Sequence, residues 1–146
     1  NPDICNGCAY CTAACPFASA DELFNPNAVK VVVDDCQRAL YFSRSAIPYI
    51  RNSKIFEADF RPWLEPAQLA FFQRHLGLYA YRPEALRRFK DLPPHPLEQL
   101  EMLEQLRALA AGMAMGVART PHLSLGVDTP ADVAPVEALL QERGLA

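Results

Sequence analysis

The chain has 146 residues, a formal net charge of −3 and a hydrophobic share of 51%, which suits one folded domain whose core needs no staples. An acidic chain attracts neither nucleic acid nor an anionic membrane surface, so both are excluded as partners. No apolar run reaches the ~18 residues of a membrane span and no signal peptide opens the chain, so a cytoplasmic location is expected. The chain starts at Asn1-Pro2-Asp3 without an initiator methionine, and a fragment or engineered piece is expected.

Four of the five cysteines lie close together, in Cys5-Asn6-Gly7-Cys8-Ala9-Tyr10-Cys11-Thr12-Ala13-Ala14-Cys15-Pro16. This C-x2-C-x2-C-x3-C-P run resembles the bacterial ferredoxin motif, in which thiolates on a tight loop reach the corners of a [4Fe–4S] cube. Cys5, Cys8, Cys11 and Cys15 are therefore candidate cluster ligands, with the fourth serving the same cube or being replaced by Cys36. The competing reading is a strand rich in small residues, because a free cysteine also packs as a small hydrophobe. Residues 1–17 read as a Cys-rich N-terminal segment and residues 18–146 as the main domain.

Asp21-Glu22-Leu23-Phe24 forms a helical turn that Asn25-Pro26-Asn27 ends, since the residue before proline avoids the helical region. Val29-Lys30-Val31-Val32-Val33 is β-branched and nearly all apolar, the composition of a buried strand. After a turn at Asp34–Gln37, Ala39–Ser43 returns as the second strand of a hairpin and runs into Arg44. Residues 48–74 are irregular, with Arg51, Trp63 and Phe71-Phe72 among prolines, as in a lid, binding loop or subunit contact. His75 to Tyr81 alternates as a strand, with His75, Gly77, Tyr79 and Tyr81 on one face and an apolar Leu76, Leu78, Ala80 face opposite.

Pro83 opens a short helix through Phe89. His95 stands at the N-cap and Pro96 at the first turn of a helix predicted to run to Arg107. Its 3.6-residue period puts Leu97, Leu100 and Leu103 on one stripe, with Glu104 and Arg107 projecting between them. A covered, unpaired Glu104 costs several kcal/mol, so either a Glu104–Arg107 ion pair or a polar ligand at Glu104 and Gln105 is expected. Met113–Ala118 is a strand candidate. Thr129, Pro130 and Asp132 start a last helix, and Asp128 just ahead of it is free to bind a cation. The strand and helix order is that of an α/β fold, whose sites lie in loops between strand and helix.

Five segments together resemble the CMP-Kdo synthetase family, the 3-deoxy-manno-octulosonate cytidylyltransferases. They are Phe24-Asn25-Pro26-Asn27-Ala28-Val29-Lys30-Val31-Val32, Ala39 to Arg44, His75 to Tyr79, Pro96 to Arg107, and Gly126-Val127-Asp128-Thr129-Pro130. The resemblance covers roughly residue 18 to the C-terminus. It implies the C-terminal half of a Rossmann-like nucleotide-diphospho-sugar transferase domain, a mixed sheet with flanking helices. It further implies CTP and the acid sugar Kdo as small-molecule partners, CMP-Kdo and pyrophosphate as products for lipopolysaccharide synthesis, Mg2+ as cofactor and a homodimer. Arg44, Arg51, His75, Tyr79, Glu104 and Gln105 are implied to surround the sugar acid, and Asp128 to bind magnesium. Arginines suit a carboxylate, and a glutamate with a glutamine suits hydroxyls. The family's strand before the short helix, Ala-Thr-Ala-x-x-Pro, falls on Thr12 to Phe17 and competes with the cluster for Cys15.

The family's CTP-binding half has no counterpart in residues 1–17, so the isolated chain is expected not to turn over CTP. The alternatives are a small 4Fe–4S electron-transfer or binding module and a non-catalytic Kdo-binding or dimerising fragment.

Overall fold

A computed structural model describes residues 7–51, 64–122, 127, 130, 133–142 and 144. The elements in chain order are β1 (Tyr10–Pro16), α1 (Ala20–Phe24), β2 (Lys30–Val33), β3 (Ala39–Ser43), α2 (Pro66–Leu69), β4 (Gln73–Tyr81), α3 (Pro83–Lys90), α4 (Pro96–Glu101), α5 (Gln105–Ala110), β5 (Met115–Arg119) and α6 (Val133–Glu142). The strands form one mixed sheet in the order β3-β2-β4-β1-β5, parallel between β1 and β5 and antiparallel elsewhere. The α/β expectation therefore holds. No helix among the described residues is long and apolar enough to cross a membrane.

The cysteine-bearing segment is not separate from the domain. β1 lies between β4 and β5, and its Tyr10 and Ala14 enter the main core with Val31, Phe42, Leu103, Leu106, Met115 and Val117. Residues 10–16 of the Cys-rich segment are thus a strand inside the sheet. Extended backbone also carries Cys15 about 13 Å along the strand from Cys11, so these two do not converge on one cube. Cys11 is disulfide-bonded, whereas Cys8 and Cys15 are buried free thiols. Cys5 lies outside the described residues, and among those described no group of three metal-ligating side chains converges. The small-residue strand accounts for this run, and the thiols described do not fit an iron–sulfur cluster.

Two regularities expected from the sequence break, and both breaks shape the site. First, β4 is bulged: Thr12 faces Tyr79 while the next residue, Ala13, faces Leu76, leaving Gly77 and Leu78 outside the ladder. Of its two faces, the one that carries the polar tips is the inward one. His75, Tyr79 and Tyr81 pack inward against Phe42 and Tyr10, while Leu78 is 69% exposed.

Second, the helix predicted from Pro96 to Arg107 is two helices. Met102 takes a left-handed conformation, φ 52° and ψ 49°, between α4 and α5. The start is as expected: His95 Nδ1 accepts from the Leu97 N–H, and Glu98 accepts from the His95 N–H, a reciprocal cap. After Met102 the chain turns, so Leu103 and Leu106 are buried while Leu97 and Leu100 stay at the surface. Each buried leucine contributes roughly 2 kcal/mol, which a straight helix with all its leucines on one stripe would have to share with two charges. The turn also replaces the expected Glu104–Arg107 pair. Arg107 instead binds Glu98 through Nε and Nη2, donates from Nη1 to the Leu92 carbonyl and stacks over Phe89.

Candidate functional site

The bulge of β4 and the break between α4 and α5 face one cavity of about 620 Å³. Its wall includes Arg44, His75, Tyr79, Glu104 and Gln105, which gathers five of the residues expected at the site from separate parts of the chain. Arg51 is exposed and does not line the cavity. Asp128 lies outside the described residues, as does Trp63.

Gln105 opens α5 and is only 2% exposed. Both its Oε1 and its Nε2 are buried with no hydrogen-bond partner among the described residues. An amide left in that state costs about 1–3 kcal/mol, and a ligand hydroxyl or carboxylate in the cavity would remove the cost. Its backbone carbonyl is held in place by the Tyr10 hydroxyl, which donates over 3.5 Å. Glu104, one residue earlier, is exposed at the same wall.

Arg44 does more than face the cavity. Its Nε donates to the Glu101 carbonyl at 2.7 Å, Nη1 to the Pro26 carbonyl at 3.0 Å and Nη2 to the Met102 carbonyl at 3.3 Å. A guanidinium has five N–H donors, so two remain for a ligand while three hold the end of α4 against the Asn25–Asn27 turn. A cation at a helix C-terminus is well placed for those carbonyls. The Glu101 carboxylate returns the hold, accepting from Ser43 Oγ at 2.7 Å and from the Arg44 N–H at 2.9 Å.

Lys30 lies beneath this junction and is fully buried. Its Nζ donates to the carbonyls of Asn25 and Arg44, both at 2.8 Å. Burial first, and then the nearby Arg44 charge, push its pKa down to about 8. The lysine thus ties the turn that carries Asn27 to the strand end that carries Arg44. The signal was present in the sequence as one charge inside a valine run. A buried strand tolerates such a charge only where carbonyls or carboxylates meet it.

Arg74 and Asn27 also line the cavity and were not foreseen. Arg74 is bridged to Glu22, and nothing in its local sequence separates it from any other charge beside a strand. Glu22 offsets the Arg74 charge, and it is Arg44, with two N–H donors unspent, that suits the wall to an anion.

His75 is held between Thr12, the edge of Phe42 at 4.8 Å and Tyr79 at 5.6 Å. Burial lowers its pKa to about 4, so it is neutral at pH 7. Burial first, and then the Glu104 charge, push the Tyr79 hydroxyl well above the usual phenol range, which keeps it protonated.

Comparison with known proteins places this geometry. A family model described as cytidylyltransferase matches residues 7–115. The 3-deoxy-manno-octulosonate cytidylyltransferase of Acidobacterium capsulatum is 50% identical over 125 residues, 86% of this chain and 46% of that protein. The enzyme of the same name from Syntrophotalea carbinolica is 48% identical over 134 residues, 92% of this chain and 51% of that protein. The chain thus spans about half the length of the curated relatives it matches. A solved structure of CMP:2-keto-3-deoxy-manno-octonic acid synthetase complexed with CTP superposes with a TM-score of 0.77 at 38% identity, covering 94% of this chain and 51% of that one. The matched residues include β1, the bulged β4, the α4–α5 junction and the start of β5, and on that match the chain belongs to the cytidylyltransferase family.

Proposed function

We propose that this chain forms the acid-sugar side of a CMP-Kdo synthetase, binding Kdo so that its hydroxyl attacks the α-phosphorus of CTP. In that reaction a bond forms between the sugar oxygen and the α-phosphorus, the bond to the β-phosphate bridge breaks, and pyrophosphate leaves. The residues described here bind and orient the sugar. Arg44 supplies two unspent N–H donors for its carboxylate, and Gln105, Glu104 and Tyr79 supply partners for its hydroxyls.

The observation that carries this reading is Gln105, a buried amide with neither atom paired among the described residues, at the wall of the cavity that Arg44 also lines. Its agreement with the relatives' names supports the choice of Kdo. Magnesium at Asp128, a homodimer and a cytoplasmic setting belong to the same reading through the resemblance. Bound magnesium would neutralise the triphosphate during attack.

Calorimetric titration of Kdo into the 146-residue chain tests the reading, with Glu104→Ala as the control. Saturable binding weakened in the control is expected, together with no pyrophosphate release from CTP and Kdo by this chain alone. Absence of binding at millimolar Kdo would remove the sugar-site assignment. Pyrophosphate release would show instead that the chain carries both halves of the chemistry.

A further inference from the structure

The hydroxyl of Thr12 has more neighbours than it has protons. Its Oγ1 lies 2.8 Å from His75 Nε2, 3.0 Å from the Leu76 carbonyl oxygen and 2.8 Å from the Leu78 carbonyl oxygen. Thr12 is buried, and the Leu78 carbonyl lies in the β4 bulge outside the ladder, with that of Leu76 where the pairing resumes. A hydroxyl carries one hydrogen and two lone pairs. If Nε2 were a bare acceptor, three acceptors would compete for that hydrogen and two would face an oxygen lone pair at close range. If Nε2 carries the hydrogen, it donates to Oγ1, and the hydroxyl gives its own hydrogen to the Leu76 and Leu78 carbonyls. Only the second arrangement gives every short contact a hydrogen to share.

We propose that Thr12 is a positioning residue that fixes His75 as the Nε2–H tautomer, so that the imidazole presents Nδ1 to the cavity as a hydrogen-bond acceptor that selects a ligand hydroxyl. The inference deepens the sugar-acid reading and rests on it for the identity of the ligand. Nδ1 has no hydrogen bond among the described residues, and His75 stands in the cavity wall with Arg44, Arg74, Tyr79 and Glu104. The low pKa of His75 excludes the doubly protonated ring near neutrality, in which Nδ1 would be a donor. Arg44, with two N–H donors unspent, is then the partner for a carboxylate, and the histidine discriminates by requiring a donor. An acid of similar size without a hydroxyl at that place would leave Nδ1 unpaired.

The tautomer is readable without ligand. In the 15N-labelled chain, long-range proton–nitrogen correlation spectra separate the two ring nitrogens of each of the three histidines, and His75→Gln assigns the resonance. A protonated Nε2 and an unprotonated Nδ1 at pH 7 are expected for His75. A predominant Nδ1–H form, or an even mixture, would overturn the proposal whatever the chain binds. Thr12→Ser should keep the Nε2–H tautomer, whereas Thr12→Val should release it towards a mixture. If the valine variant fails to fold, the wild-type and serine spectra still decide. With Kdo added, the Nδ1 resonance should move, and Thr12→Ser should stay within about twofold of wild-type affinity while Thr12→Val loses about tenfold, the value of one hydrogen bond. An unmoved Nδ1 in a chain that calorimetry shows to be saturated with Kdo would refute the acceptor role. Failure to bind Kdo with the Nε2–H tautomer intact would refute the sugar reading and leave the role of Thr12 standing.

Discussion

Replacing Lys30 by methionine tests whether the junction beneath the cavity is as buried as its geometry indicates. The methionine keeps most of the volume and removes the ammonium that donates to Asn25 and Arg44. In the folded chain Lys30 has a pKa near 8 against an ordinary 10.5. Between those values the unfolded chain binds a proton that the folded chain does not, so the wild type gains stability as pH rises. Integrating from pH 7 to pH 9.5 gives a gain of about 2 kcal/mol relative to the variant, in which this titration is absent. The other ionisable groups are common to both proteins and cancel in the difference. The neutral amine still has two hydrogens for the two carbonyls, so deprotonation need not loosen the junction. The assay is urea denaturation followed by far-ultraviolet circular dichroism for both proteins at both pH values. The variant also takes a donor from the Arg44 carbonyl, at about 1–3 kcal/mol, while the Asn25 carbonyl still accepts from the Ala28 N–H; that cost is present at both pH values and leaves the double difference unchanged. An equal stability difference at pH 7 and pH 9.5 would mean that Lys30 titrates as it does in the unfolded chain, and the argument for a buried tie would fail.

Met102→Gly should raise stability by about 1 kcal/mol, because Met102 holds a left-handed conformation that glycine adopts without penalty. A lowered urea midpoint would show that α4 and α5 do not break there. Gln105→Leu should raise stability by about 1–2 kcal/mol, by removing two buried unpaired polar atoms, while abolishing measurable Kdo binding. Loss of stability in the leucine variant would mean that the amide is paired in the free protein.

The strands were legible because their composition and period are local properties. The valine run, the returning Ala39–Ser43 strand and the strand at Met115 all fall where the pattern puts them, within a residue or two. The cysteine run was ambiguous for a physical reason. Thiolates spaced for a cube and small residues spaced for a central strand are the same letters, and only the partners of β1 on either side decide between them. Helical period failed at Met102 because nothing local marks the stop: Glu101, Met102 and Leu103 are all adequate helix formers. The break is imposed from outside, by burial of Leu103 and Leu106 and by the arginine from β3 that holds the carbonyls of Glu101 and Met102.

The same external imposition accounts for what the sequence could not reveal about the cavity. Arg44, Glu104 and Gln105 come from the family's motifs, but the reason they meet lies in contacts between residues far apart in the chain. Glu101 binds Ser43 and Arg44 at the end of β3, Lys30 binds the carbonyls of Asn25 and Arg44, and Thr12 binds His75 and the carbonyls of Leu76 and Leu78 beside the bulge. These three side chains spend their hydrogen bonds on backbone atoms or on other side chains, and none lines the cavity itself. Their effect is to leave the lining groups with capacity to spare: two donors on Arg44, both atoms of the Gln105 amide and one nitrogen of His75. A cavity whose walls are held in this way can bind a polar ligand without first reorganising, and its selectivity then follows from which donors and acceptors remain unpaired.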